Sequence, residues 1–177
     1  MRRLSAFVIV SGLIVTAAAG ATVVKTRLVV SGAFHTTSAP SVTSQQEGCG
    51  FRTKARTLSY QSEAMRIGRG PAVASVEFLI PHFRGAGSYD ARLPAPYSRT
   101  AVQVVTGRNA ATGVASGFYI AKSGTVAVAQ AKNVGRVGEA GSASGTVHVR
   151  LRLQRGTKRL RLDGSWHCRI DSGSNGG

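Results

Sequence analysis

The chain has 177 residues, of which 42% are hydrophobic, so it is long enough to bury the core of one domain. Lys and Arg number 23 against 7 Asp and Glu, which gives a formal net charge of +16. This balance favours anionic partners, whereas an aromatic content of 6% argues against a platform on which nucleic-acid bases stack. Gly, Ser, Thr, Val and Ala dominate, which is typical of strands and turns rather than helices.

The first residues have the pattern of a secretory signal peptide. Arg2 and Arg3 precede a mostly apolar stretch at residues 6–19, and Ala19-Gly20-Ala21 supplies a small-x-small cleavage site. We therefore expect a signal peptide over residues 1–21 and a secreted or cell-envelope-associated protein. The alternative is a single N-terminal membrane anchor, because residues 6–24 carry no charge and have roughly the length that spans a bilayer.

Short apolar segments separated by turn residues then predict a single β domain over residues 22–170. The predicted fold is a small antiparallel β-sandwich or barrel with a C-terminal hairpin. The first strand carries a bulge at Ser31-Gly32 in this prediction, and residues 36–46 form a loop that leads to Cys49. Residues 51–69 fit a short strand or a single helical turn equally well. The first strand is predicted at residues 27–34, and further strands are predicted at residues 72–80, 100–106, 115–121 and 124–131. A turn and a short strand are predicted near residues 84–93, and a loop is predicted at residues 133–144.

The chain has two cysteines, Cys49 and Cys168. In an oxidising compartment disulfides persist, and two cysteines leave one intramolecular pairing. A structural zinc site would need closely spaced Cys or His pairs, which this sequence does not offer. We therefore predict a Cys49–Cys168 disulfide.

The C-terminal hairpin has the clearest pattern. Apolar and polar side chains alternate over residues 146–154 and again over residues 159–168, as in strands with one buried face. A two-residue turn at Gly156-Thr157 would pair Leu153 with Leu160 and bury Trp166 against Val147. The tail at residues 171–177 is Ser, Gly and Asn and is predicted to be disordered.

The outward face of this hairpin is a candidate anion-binding site. In the predicted register Arg152 lies opposite Arg161 and Arg150 lies opposite Asp163, which leaves a largely uncompensated cationic strip. The alternative is that these charges protect a solvated strand edge from pairing with other chains. The candidate residues are Arg150, Arg152, Arg159 and Arg161 on the strands, with Arg155 and Lys158 at the tip.

Three segments resemble a group of small exported bacterial proteins, common in actinobacteria and often lipoproteins. These segments are FRGAGSY at residues 83–89, SGTV at residues 144–147 and DGSWHC at residues 163–168. The resemblance implies a β-sandwich or small barrel with a disulfide from a cysteine to the last strand, and it implies no activity. The chain departs from the group in lacking a Leu-x-x-Cys lipidation site and in its high Arg content.

No catalytic site, metal site or cofactor is predicted. No Gly-x-Ser-x-Gly elbow occurs, the acids are few and separated, and Gly85-Ala86-Gly87 lacks the Lys-Ser/Thr of a phosphate loop. His148 and His167 form at most a diagonal pair, fewer ligands than zinc requires. We expect a non-enzymatic exported binding or envelope-associated module that contacts anionic phospholipid, acidic glycan or extracellular nucleic acid. The alternative is a carrier of a small apolar ligand, and an enzyme ranks third.

Overall fold

The strands follow directly from the alternation of apolar and polar residues. The computed structural model describes residues 26–33, 36–37, 47–66, 73–92, 100–106 and 117–171. Every regular element in these residues is a strand, so the all-β prediction is confirmed. The strands are β1 (Arg27–Gly32), β2 (Thr36–Thr37), β3 (Glu47–Arg52), β4 (Thr57–Arg66), β5 (Val73–Ile80), β6 (Gly87–Asp90), β7 (Ala101–Thr106), β8 (Gly117–Lys132), β9 (Gly141–Leu153) and β10 (Arg159–Ile170).

Nine of the strands form one antiparallel sheet in the order β2-β1-β10-β9-β8-β7-β5-β4-β3, and β6 pairs with β8 beside β7. The sheet curls into a half-barrel, so that β3 at one edge contacts β10, which lies third from the other edge. Burying one face in this way accounts for the inward set of apolar side chains on almost every strand.

An aromatic cluster fills the space enclosed by the curl. Trp166 of β10 meets Phe78 of β5 edge-on at a ring-centroid distance of 5.0 Å, and Phe78 stacks on Tyr60 of β4 at 4.7 Å. All three side chains are buried, and the Trp166 ring nitrogen donates a hydrogen bond to the carbonyl oxygen of Thr146 at 3.3 Å. Aromatic pairs at these separations add to the stabilisation that burial of their area supplies.

The predicted disulfide is confirmed. Cys49 of β3 is joined to Cys168 of β10, with a Cα–Cα distance of 5.5 Å. Cys49 lies in β3, which forms a hairpin with β4. Thr36 and Thr37, at the start of the predicted loop at residues 36–46, form β2, and the rest of that loop lies outside the described residues. The segment that fitted a short strand or a helical turn forms, over its described residues 51–66, the end of β3, the turn and the whole of β4. The sequence hides this hairpin because the turn at residues 53–56 contains no Gly, Pro, Asn or Asp, and Arg56 itself adopts a positive φ of 46°.

The C-terminal hairpin has the predicted faces but a different register. Leu160 lies opposite Leu151, not Leu153, and Trp166 lies opposite Gly145, not Val147. The connection is longer than a two-residue turn, because the Leu153 amide bonds to the Lys158 carbonyl at 3.0 Å. The register therefore moves by two residues, which leaves the buried and exposed sets unchanged.

Further predictions need correction or lie outside the described residues. The segments predicted at residues 115–121 and 124–131 are, over the described residues from 117 onward, parts of one strand, β8. β1 pairs regularly with β10 where a bulge at Ser31-Gly32 was expected. The predicted short strand near Tyr89 is β6, and the strand at residues 73–80 buries Val76, Phe78 and Ile80 as expected. The predicted signal peptide at residues 1–21 lies outside the described residues, as does the predicted tail at residues 171–177 except for Asp171.

Candidate anion-binding face

The four strand arginines of the hairpin lie together on the outer surface of the sheet. Arg150 and Arg152 come from β9, Arg159 and Arg161 come from β10, and all four side chains are exposed. Their neighbours Leu151, Leu160 and Leu162 point the other way into the core. The period of two in the sequence therefore separates the cations from the apolar face as predicted.

The observed register places arginine opposite arginine twice. Arg152 faces Arg159 and Arg150 faces Arg161, whereas the sequence-based register predicted Arg152 with Arg161 and Arg150 with Asp163. Each directly opposed pair of like charges costs a few tenths to about 1 kcal/mol of sheet stability. The Cα positions of the four arginines therefore form a two-by-two grid, with rows about 6.6 Å apart along the strands.

The hairpin does not lie at a sheet edge. β9 is hydrogen-bonded to β8 and β10, and β10 is hydrogen-bonded to β9 and β1. The alternative prediction that its charges protect an exposed strand edge is therefore wrong. Protection of a strand edge therefore does not explain why arginines lie opposite one another on two interior strands.

One carboxylate lies beside the grid. Asp163 contacts Nε of Arg161 at 2.6 Å through one oxygen and Nδ1 of His148 at 3.0 Å through the other. Partial burial disfavours the charged form of Asp163, but the hydrogen bonds from His148 and Arg161 outweigh it and lower the pKa of this carboxyl. Asp163 is therefore ionised at neutral pH and is engaged by two partners of its own.

Lys122 is a fifth cation of this face that the sequence did not reveal. The pairing of β8 with β9 shifts between Ala121 and Ser123, which marks a bulge at Lys122. Both Lys122 and Ser123 are exposed, and Ser123 lies opposite Arg150. Bulges redirect side chains in this way. The Lys-Ser-Gly sequence inside an apolar stretch suggested a turn between two strands, and the same residues form the bulge.

An open groove of about 480 Å³ runs across this surface between β1 and β8. In the part of the chain that the structure describes, Lys122, Arg150 and Arg159 have no acidic partner within ion-pair distance. The groove is lined by Ser31, Gly32, Lys122, Ser123, Arg150, Leu151, Arg152, Arg159, Leu160 and Arg161. We use the term basic face for Lys122, Arg150, Arg152, Arg159 and Arg161.

The two remaining candidates, Arg155 and Lys158, lie in the exposed turn beyond the basic face. Nε of Arg152 donates a hydrogen bond to the carbonyl oxygen of Gly156 at 3.2 Å, which ties the turn to the end of the face. The turn therefore extends the positive surface past the ends of the strands.

The diagonal pair of His148 and His167 that the predicted register would have allowed does not form. His148 on β9 lies opposite Asp163 on β10. His167 is four residues beyond Asp163 along β10 and lies opposite Ser144, so the two histidines are not neighbours. Within the described ranges, no group of three or more His, Cys, Asp or Glu side chains is arranged to hold a metal ion. The glycines near residue 85 form a turn in which the Tyr89 hydroxyl donates to the Gly85 carbonyl at 2.7 Å.

No protein-family model matches this chain, and no curated protein or solved structure is significantly similar to it. Within the described ranges, no helix has the length and apolar character needed to cross a bilayer.

Proposed function

We propose that this chain is a non-enzymatic, exported binding or envelope-associated module that contacts anionic surface material through the basic face. The observation that carries the proposal is the presence of two pairs of opposed arginines on interior strands, Arg152 with Arg159 and Arg150 with Arg161. An anion between the members of each pair would remove the repulsion and accept charge-assisted hydrogen bonds from both guanidinium groups. Export is part of the proposal and rests on the signal-peptide pattern of residues 1–21.

The charge balance of the surface supports the same conclusion. Five cations line one groove, and the neighbouring carboxylate of Asp163 is already bonded to Arg161 and His148. The alternative of a carrier for an apolar ligand has less support, because Trp166, Phe78 and Tyr60 pack against one another in the interior between β10, β5 and β4.

The test is a binding measurement against polyphosphate across a salt series. The test variant replaces Arg150, Arg152, Arg159 and Arg161 with Gln, and the control variant replaces the exposed cations Arg52, Lys54, Arg84 and Arg169 with Gln. Both lose four charges, so the difference between them reports on position rather than on net charge. Binding by the wild type should weaken steeply as the screening length falls to about 8 Å at physiological salt.

We expect the test variant to lose most of its binding and the control variant to keep most of its binding. Equal losses would mean that total charge, and not the basic face, attracts the polymer. With duplex DNA as the ligand, each lost phosphate contact should reduce the log–log salt slope by about 0.9. An absence of salt-sensitive binding by the wild type would overturn the proposal.

A further inference from the structure

Phe118 of β8 is an aromatic side chain on the outside of the sheet. It is 47% exposed, although the residues on either side of it, Gly117 and Tyr119, are buried. Among the described Phe, Tyr and Trp residues, Phe118 is the one whose side chain is exposed. A single exposed apolar side chain is common on protein surfaces, so the significance of Phe118 depends on the charged surface beside it.

Phe118 is continuous with the basic face. Ile120 follows it on the same side of β8 and lies directly opposite Arg152, which in turn faces Arg159. A groove of about 320 Å³ joins Ile120 to Lys122, Arg152 and the turn at Gly156. The backbone holds this arrangement in place, because the Gln154 amide donates to the Phe118 carbonyl at 2.8 Å.

The outer surface of β8 and β9 therefore has an apolar part at Phe118 and an adjacent cationic part, the basic face. Proteins that lie on membranes combine these features: apolar side chains enter the boundary of the acyl chains, and Lys and Arg contact the anionic headgroups. A soluble polyanion would satisfy the cations but would offer nothing to Phe118. We propose that the outer surface of β8, β9 and β10 docks on a bilayer that contains anionic phospholipid, with Phe118 inserted and the basic face on the lipid phosphates. This inference rests on the proposed function and names its ligand.

Two substitutions and two ligands test it. The ligands are vesicles of phosphatidylcholine and phosphatidylglycerol in equal amounts, and soluble polyphosphate. The test variant is Phe118→Ser, and the matched control is Leu79→Ser, because Leu79 is a large apolar side chain on β5 that is 40% exposed. The emission of the single tryptophan, Trp166, verifies that each variant is folded.

We expect Phe118→Ser to lower affinity for the vesicles about tenfold and to leave polyphosphate binding unchanged. Leu79→Ser should change neither. A Phe118→Trp variant should show blue-shifted emission and protection from an aqueous quencher with the vesicles, and no such change with polyphosphate.

Equal vesicle binding by wild type and Phe118→Ser would overturn the inference. It would also be overturned if Phe118→Ser lost as much affinity for polyphosphate as for the vesicles. Wild-type protein that binds polyphosphate but not vesicles would also overturn it while leaving the proposed function in place. If wild-type protein bound neither ligand, both this inference and the proposed function would be overturned.

Discussion

Gly145 of β9 lies directly opposite Trp166 of β10, and a methyl group on Gly145 would overlap the carbonyl oxygen of Ala127 on β8. The close approach of β8 to β9 beneath the largest core side chain thus depends on the missing Cβ. We expect Gly145→Ala to lower the free energy of unfolding by about 1–3 kcal/mol, since the obstructing carbonyl oxygen and carbon of Ala127 belong to the backbone of an interior strand. Urea unfolding followed by Trp166 emission measures this change.

The control for this prediction is Gly48→Ala. An added Cβ at Gly48 would have no heavy atom within 4 Å, so this variant should be neutral or slightly more stable. Similar losses of stability in the two variants would show that strand glycines in general, and not the contact with Ala127, set the cost.

The disulfide gives a second prediction. Cys49 and Cys168 are separated by 119 residues in sequence, so their bond restricts the unfolded chain strongly. Replacing both with Ser should lower the free energy of unfolding by about 2–5 kcal/mol. Reductant should destabilise the wild type by a similar amount and leave the double variant unchanged. A peptide map of native protein that shows two free thiols would contradict the assignment.

The opposed arginines give a third prediction. Replacing Arg150 and Arg159 with Gln removes one member of each pair, so stability at low salt should rise by a few tenths to about 1 kcal/mol per pair. Added salt should stabilise the wild type more than this variant, because the repulsion that salt screens has been removed. The matched control replaces Lys54 and Arg84, and it should respond to salt like the wild type. Identical salt responses in all three proteins would show that the pairs do not repel measurably.

Asp163 gives a pH-dependent prediction. Because its pKa is lowered in the folded protein, its stabilising contribution is present above the ordinary carboxyl pKa of about 3.9 and is lost as pH falls through the folded pKa. We expect Asp163→Asn to cost about 1 kcal/mol at pH 7, and the difference from wild type to vanish in strong acid. Asp90→Asn removes a more exposed partner of Arg92 and should cost less. A difference between wild type and Asp163→Asn that is as large in strong acid as at pH 7 would refute this assignment.

Much of the hairpin could be predicted from the sequence, because alternation reports directly which side of a strand is buried. The faces of Leu160, Trp166 and Cys168 followed from that pattern. The register did not, because it depends on the length of the connection after Leu153, and a shift of two residues leaves the alternation intact. For this reason the cationic surface was predicted, whereas the opposition of Arg150 to Arg161 was not.

Lys122 and Phe118 were missed for different physical reasons. Lys122 belongs to the basic face through a bulge, which departs from strict alternation at one residue and resembles a turn in sequence. Phe118 lies in the apolar stretch at residues 117–121, which does not alternate with polar residues, so the sequence does not indicate which of its side chains is exposed. The significance of each side chain depends on its neighbours across β8 and β9, which are distant in the chain.

The pairing of β1 with β10 has a consequence for how the molecule is made. Arg27 lies opposite Ser165, so β1, the first described strand along the chain, pairs with β10, the last described strand along the chain. During synthesis from the amino end, β1 emerges long before its partner, and Cys49 likewise precedes Cys168. Contacts of such large sequence separation form late and slowly. A nascent chain stopped before residue 159 would lack the partner strand of β1 and the second cysteine, so completion of the fold awaits translation of its final strand.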